Sequence, residues 1–108
     1  MESRLKDNSV DFMLSAILKL ETLDECYKFF EDLCTGPELK AMSQRVAVAH
    51  MLKNGWVYSE IVNKTGASTA TISRVSRSLN QYSRGGYDLI FGRLTDDELA
   101  LLPKKSDE

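Results

Sequence analysis

Apolar residues recur along this chain at helical rather than strand spacing. Val10, Leu14, Ile17 and Leu18 fall at i, i+4, i+7 and i+8, the stripe of a helix that buries one face. They predict a first helix over about 9–20. A second begins after Thr22 and carries Leu23, Tyr27, Phe30 and Cys34 on one side. A third begins near Pro37, with Leu39, Met42, Val46, Ala49 and Leu52 as its apolar set, and closes at Asn54-Gly55, where a left-handed C-terminal cap fits. Two short helices follow, over about 58–64 and 68–79, with Gly66 between them. "SRGG" at 83–86 reads as a turn, 87–94 as a sixth helical segment, and a last one starts after Thr95. Pro103 and the charged run behind it predict a disordered tail over 103–108.

Start signals agree with this division. Thr22 with Glu25, Thr35 with Glu38 and Thr95 with Glu98 are S/T-x-x-E pairs, in which each side chain satisfies a free backbone N–H of the other residue. Pro37 falls in the first turn of its helix, where no N–H is needed. Strand alternation is nearly absent, and "WVY" at 56–58 is too short to count. The class is all-α. The connections are so short that few helices can fold back on one another, so the apolar stripes need cover from a second chain, and a homodimer is expected.

Bulk properties narrow the picture further. A chain of 108 residues is read as one domain over 1–108, and at this size about a third of its surface stays in water. Hydrophobic residues at 43% and charged residues at 28% are a globular balance. No apolar run is long enough to cross a bilayer, and "MESRLKDNSVD" lacks the apolar centre of a secretory signal, so no membrane partner and a cytoplasmic location are expected. Cys26 and Cys34 lie eight apart on one helix, too far to bridge, and His50 is the sole histidine. No metal spacing results, so the expectation is buried free thiols and no metal site.

The net charge of −2 is unevenly spread: residues 1–39 carry −5, 40–93 carry +6 and 94–108 carry −3. The basic middle contains "YSEIVNKTGASTATISRV" at 58–75. Ile61 and Val62 lie on the inner side of the first short helix, Ile72 and Val75 on the inner side of the second. This is helix-turn-helix patterning over 58–79. Gly66 permits the positive φ of a sharp turn, and Ala67 lets the helices approach. Ser68, Thr69, Thr71, Ser73 and Arg74 turn outward, with Arg77 further along. Short hydroxyls at a helix N-terminus bring the backbone close to phosphates and base edges, and no acid intervenes. The reading is a DNA-binding surface, with double-stranded DNA as partner.

Residues 33–80 resemble the Trp repressor family, most specifically through "SQRVAVAHML" and "TGASTATISRVSRSLN". With "LDECYKFFEDLCT" ahead of them, nearly the whole chain resembles the YerC/YecD-type branch. The resemblance implies an intertwined helical homodimer. Each subunit would present 68–79 to a major groove, at half-sites roughly 34–36 Å apart, and would act as a repressor. It places Thr69, Ala70, Thr71 and Ser73 on DNA-facing positions, where water-mediated contacts suit short hydroxyls. It also implies a corepressor pocket, with Arg45 and Arg74 as two guanidinium planes clamping a flat ring and Ser78 near the ligand's amino group. Val75 stands where the Trp repressor has a glycine beside the indole. Gly36 is an insertion, and Asp32 occupies an apolar position. These departures argue against tryptophan as the ligand.

Two other classes compete. An interaction module that retains the helix-turn-helix scaffold with weak or no DNA binding would suit the acidic ends. An enzyme would need a nucleophile with a base, or paired carboxylates. His50 has no evident partner and no glycine-rich phosphate loop is present, so no catalytic residue is expected.

Overall fold

The computed structural model describes residues 5–105. Seven helices occur in the order α1 (Asn8–Ile17), α2 (Leu23–Leu33), α3 (Gly36–Lys53), α4 (Tyr58–Thr65), α5 (Thr69–Asn80), α6 (Gly86–Phe91) and α7 (Asp96–Leu99), with no strand among the described residues. The all-α class is as the periodicity requires. Two compact units are present, one ending at Leu39 and the other beginning at Lys40.

In the first unit, Asp7 caps α1 by accepting the Val10 N–H at 2.8 Å. The helix ends at Ile17, short of the expected residue 20. Lys19 and Leu20 donate to Ala16 and Ile17 at 3.0 and 3.1 Å, so the last turn tightens to i→i+3 geometry. Thr22 caps α2 through the Glu25 N–H at 3.1 Å, but the Glu25 carboxylate accepts from Glu21 rather than closing back on Thr22. No residue of α1 or α2 is buried. Leu14 and Leu18 of the expected buried stripe are exposed, Leu18 to 83%, and Leu23 and Tyr27 are exposed as well. Periodicity identifies a face that wants burial; it does not supply the surface that buries it. Cys26 and Cys34 are free and half-buried rather than buried.

Thr35 and Glu38 form the expected reciprocal cap of α3, at 3.2 Å from the Glu38 N–H and 2.8 Å from the Thr35 N–H. The Thr35 backbone bond, aided by its hydroxyl, holds the Glu38 carboxyl below its ordinary value of 4.5. A depressed folded-state value stabilises above the unfolded one and is lost as pH falls through it. Glu38→Gln is therefore expected to lower the thermal midpoint at pH 7 more than at pH 3; equal shifts at both pH values would contradict this linkage.

At its other end α3 closes in a Schellman motif: Trp56 and Gly55 donate to Met51 and Leu52, both at 3.1 Å, with Gly55 at φ 80°. The turn delivers Trp56 onto the helix it terminates. The core of the second unit is Val48, Ala49 and Met51 of α3, Trp56, Ile61 of α4, Ala67, and Ile72 and Val75 of α5. Of the apolar set expected for α3, only Ala49 is buried, and Val46 is exposed to 44%. The run 46–52 is apolar on more than one side, so the period could not say which side meets α4 and α5. The half-buried His50 ring meets Phe91 edge-on at 5.0 Å, and Lys53 pairs with Asp88, setting α6 against the end of α3. Of the expected tail, 103–105 are described, and Lys105 Nζ donates to the Gly55 carbonyl at 2.7 Å; 106–108 lie outside the described residues.

Candidate nucleic-acid interface

The turn between α4 and α5 is held by three contributions. Gly66, at φ 73°, is the left-handed C-cap of α4, its N–H on the Val62 carbonyl at 2.9 Å. A Cβ there would meet nothing within 4 Å, so the demand for glycine is conformational, not steric. Thr65 Oγ1 donates to the Ile61 carbonyl at 2.8 Å and accepts the Ala67 N–H at 3.0 Å. From α3, Gln44 Nε2 donates to the Thr65 carbonyl at 3.1 Å. Ala67, 2% exposed, is buried in the core beside Ile61, Ile72 and Val75.

Sequence reading missed Gln44, whose partner lies 21 residues away. A signal was present: Gln44 stands at i, i+4 and i+7 with Val48 and Met51, so its amide shares the buried face of α3, where a polar group must find a partner.

Ser68 is the N-cap of α5. Its Oγ accepts the Thr71 N–H and donates to Thr71 Oγ1, both at 3.1 Å. The hydroxyls of 65–73 therefore divide by task. Thr65, Ser68 and Thr71 build the turn and the helix start, and Thr71 is half-buried. Thr69, Ala70 and Ser73 lie exposed on α5, as do Arg74 and Arg77. Neither arginine has an ion-pair partner among the described residues. The two acids of the basic stretch are both occupied, Glu60 accepting the Val57 N–H at 3.0 Å and Asp88 pairing with Lys53. No acid lies on α5. The helix thus offers hydroxyls and a methyl near its positively polarised end, with Arg74 in its middle and Arg77 in its last turn.

Arg45 is exposed on α3. Ser78 lines a cavity of about 460 Å³ with Val46, Tyr82, Tyr87 and Ile90, and neither Arg45 nor Arg74 is among its walls. Val75 is 2% exposed and packs in the core.

A profile of the Trp repressor protein family matches residues 8–95. The chain belongs to the Trp repressor family. The match takes in α1 through α6 and stops at the N-cap of α7. The uncharacterized protein YerC of Bacillus subtilis (strain 168) is 45% identical over 95 residues, 88% of this chain and 90% of that one. The crystal structure of a TrpR-like protein from Eubacterium eligens ATCC 27750 superposes with a TM-score of 0.81 at 51% identity, covering 94% of this chain and 98% of that one. Trp repressor family proteins are DNA-binding regulators rather than enzymes. No helix among the described residues is long and apolar enough to cross a membrane.

Proposed function

We propose that this Trp repressor family chain is a cytoplasmic, sequence-specific transcriptional repressor. It works as a homodimer that sets α5 of each subunit into the major groove of a palindromic operator. The carrying observation is α5 itself: an acid-free helix held by Gly66, Thr65 and Gln44, with Thr69, Ala70, Ser73, Arg74 and Arg77 exposed along it. Selection from a random duplex pool at low salt is the test, and no enrichment at all would sink the reading.

Two variants separate the roles. Arg74→Ala is expected to weaken binding evenly across sequences and to lower the salt slope by about 1, the mark of one lost phosphate contact. Thr69→Ala is expected to relax preference at one base pair by about 1–3 kcal/mol. Unchanged DNA retention in both, and in Thr71→Ala, would instead support an interaction module on the same scaffold.

The apolar residues left exposed on α1 and α2, among them Phe12, Leu14 and Leu23, support the homodimer. A second copy would remove them from water at about 25 cal/mol per Å². Light scattering should report twice the 12.2 kDa chain mass; a mass of one chain would refute it. Arg45, Arg74 and Ser78 are the residues to vary for a corepressor. Repeating the selection with a panel of amino acids tests for one, and we expect tryptophan to change nothing because Val75 fills the place of a glycine.

A further inference from the structure

Past residue 95, where the family match ends, the chain forms α7 and then a strap that returns to the α3–α4 junction. Leu99 and Leu102 are half-buried, and Lys105 Nζ closes on the Gly55 carbonyl at 2.7 Å. Between strap and junction lies a cavity of about 480 Å³, within the range of small-molecule sites, roughly 300–1,000 Å³. None of Arg45, Arg74 and Ser78 lines it.

Its walls are of two kinds. Trp56, Leu99, Ala100 and Leu102 supply apolar surface. His50, Asn54, Lys104 and Lys105 supply hydrogen-bonding groups, and Asp96 is the one acid. Among these lining residues two ammonium groups stand against one carboxylate. Lys105 gives one N–H to Gly55, and an ammonium carries three, so donors remain for a ligand. Asn54 is held in place by donating Nδ2 to the His50 carbonyl at 2.8 Å, with the same nitrogen 3.3 Å from His50 Nε2. An apolar floor beside cationic donors selects an occupant with the matching division.

We propose that the cavity between the strap of residues 96–105 and the α3–α4 junction binds a small monoanion with an apolar or aromatic body. The body lies against Trp56 and Leu99, and the anionic head meets Lys104 and Lys105. The inference goes beyond the DNA-binding reading, and its readout involves no DNA.

Trp56 is the only tryptophan of the chain, so its emission reports the site directly. The full-length protein is titrated with phenylacetate and, separately, octanoate. A saturable change half-complete at about 1 mM or below is expected for at least one of them. Phenylacetamide has the same body without the charge and is expected to bind about tenfold more weakly than phenylacetate. Lys104→Gln combined with Lys105→Gln is expected to weaken the responding anion about tenfold, with the helical circular dichroism retained. The proposal is overturned by no saturable response to either anion, by equal binding of acid and amide, or by unaltered binding in the folded double variant. If that variant loses helix, Lys104→Gln alone and the charged–neutral comparison on the unaltered protein decide the matter.

Discussion

Gly66→Val is expected to abolish operator binding while leaving most of the helix content intact. Gly66 holds φ 73° between α4 and α5, and a left-handed conformation costs a non-glycine residue about 1–2 kcal/mol, more for a side chain branched at Cβ. A Cβ there faces open space, so no neighbour can relieve the strain by moving. The strain is relieved only by a change of φ, and that change swings α5 on its hinge. Across the 12 residues of α5, about 18 Å at the usual rise per residue, even a modest swing displaces Ser73, Arg74 and Arg77 beyond hydrogen-bond tolerance. Affinity for a selected operator should fall well over tenfold, with Gly66→Ala intermediate. Wild-type affinity in the valine variant would mean that the turn does not lie at Gly66.

The largest loss of stability is expected from Ile72→Ala. Ile72 is 0% exposed and belongs to the core with Met51, Trp56, Ile61 and Val75. Removing a buried isoleucine to the β-carbon typically costs about 2–5 kcal/mol, part lost transfer and part residual cavity. Whole domains are stable by only about 5–15 kcal/mol. Urea unfolding at fixed protein concentration should show a lower midpoint with little change of slope; concentration must be held because assembly contributes to apparent stability. A loss below about 1 kcal/mol would place Ile72 outside the core. The two substitutions are expected to separate cleanly. Ile72→Ala lowers the unfolding midpoint and spares DNA affinity where the protein remains folded, whereas Gly66→Val lowers DNA affinity far more than it lowers the midpoint.

How far the candidate site could be read from sequence differs from residue to residue. Gly66, Ala67, Ile72 and Val75 were identified by local rules: a left-handed turn, a close approach, and an inward period. Ser68 was placed among the outward DNA-facing residues, yet its hydroxyl starts the helix, and Thr71 is its partner. Composition registered five hydroxyls in one place but not which of them the backbone claims. Gln44 escaped because its bond joins α3 to a turn far along the chain. Leu14, Leu18 and Val46 belong to stripes expected to need cover from a second chain, and they are exposed in the single chain, since a stripe shows that a face is apolar and not what covers it. The tail was expected to be disordered from Pro103 onward, yet Lys105 reaches Gly55.

The sequence by itself determined the helices, their caps, the hinge glycine and the basic middle of the chain. Each of these depends on residues within about four positions of one another, and at that range backbone sterics and capping bonds decide alone. Only the tertiary structure decided which side of α3 meets the helix pair, that Gln44 reaches the turn at Thr65, and that the strap past residue 95 borders a cavity beside Trp56. These depend on contacts between residues far apart in the chain, where packing chooses among faces of equal apolarity.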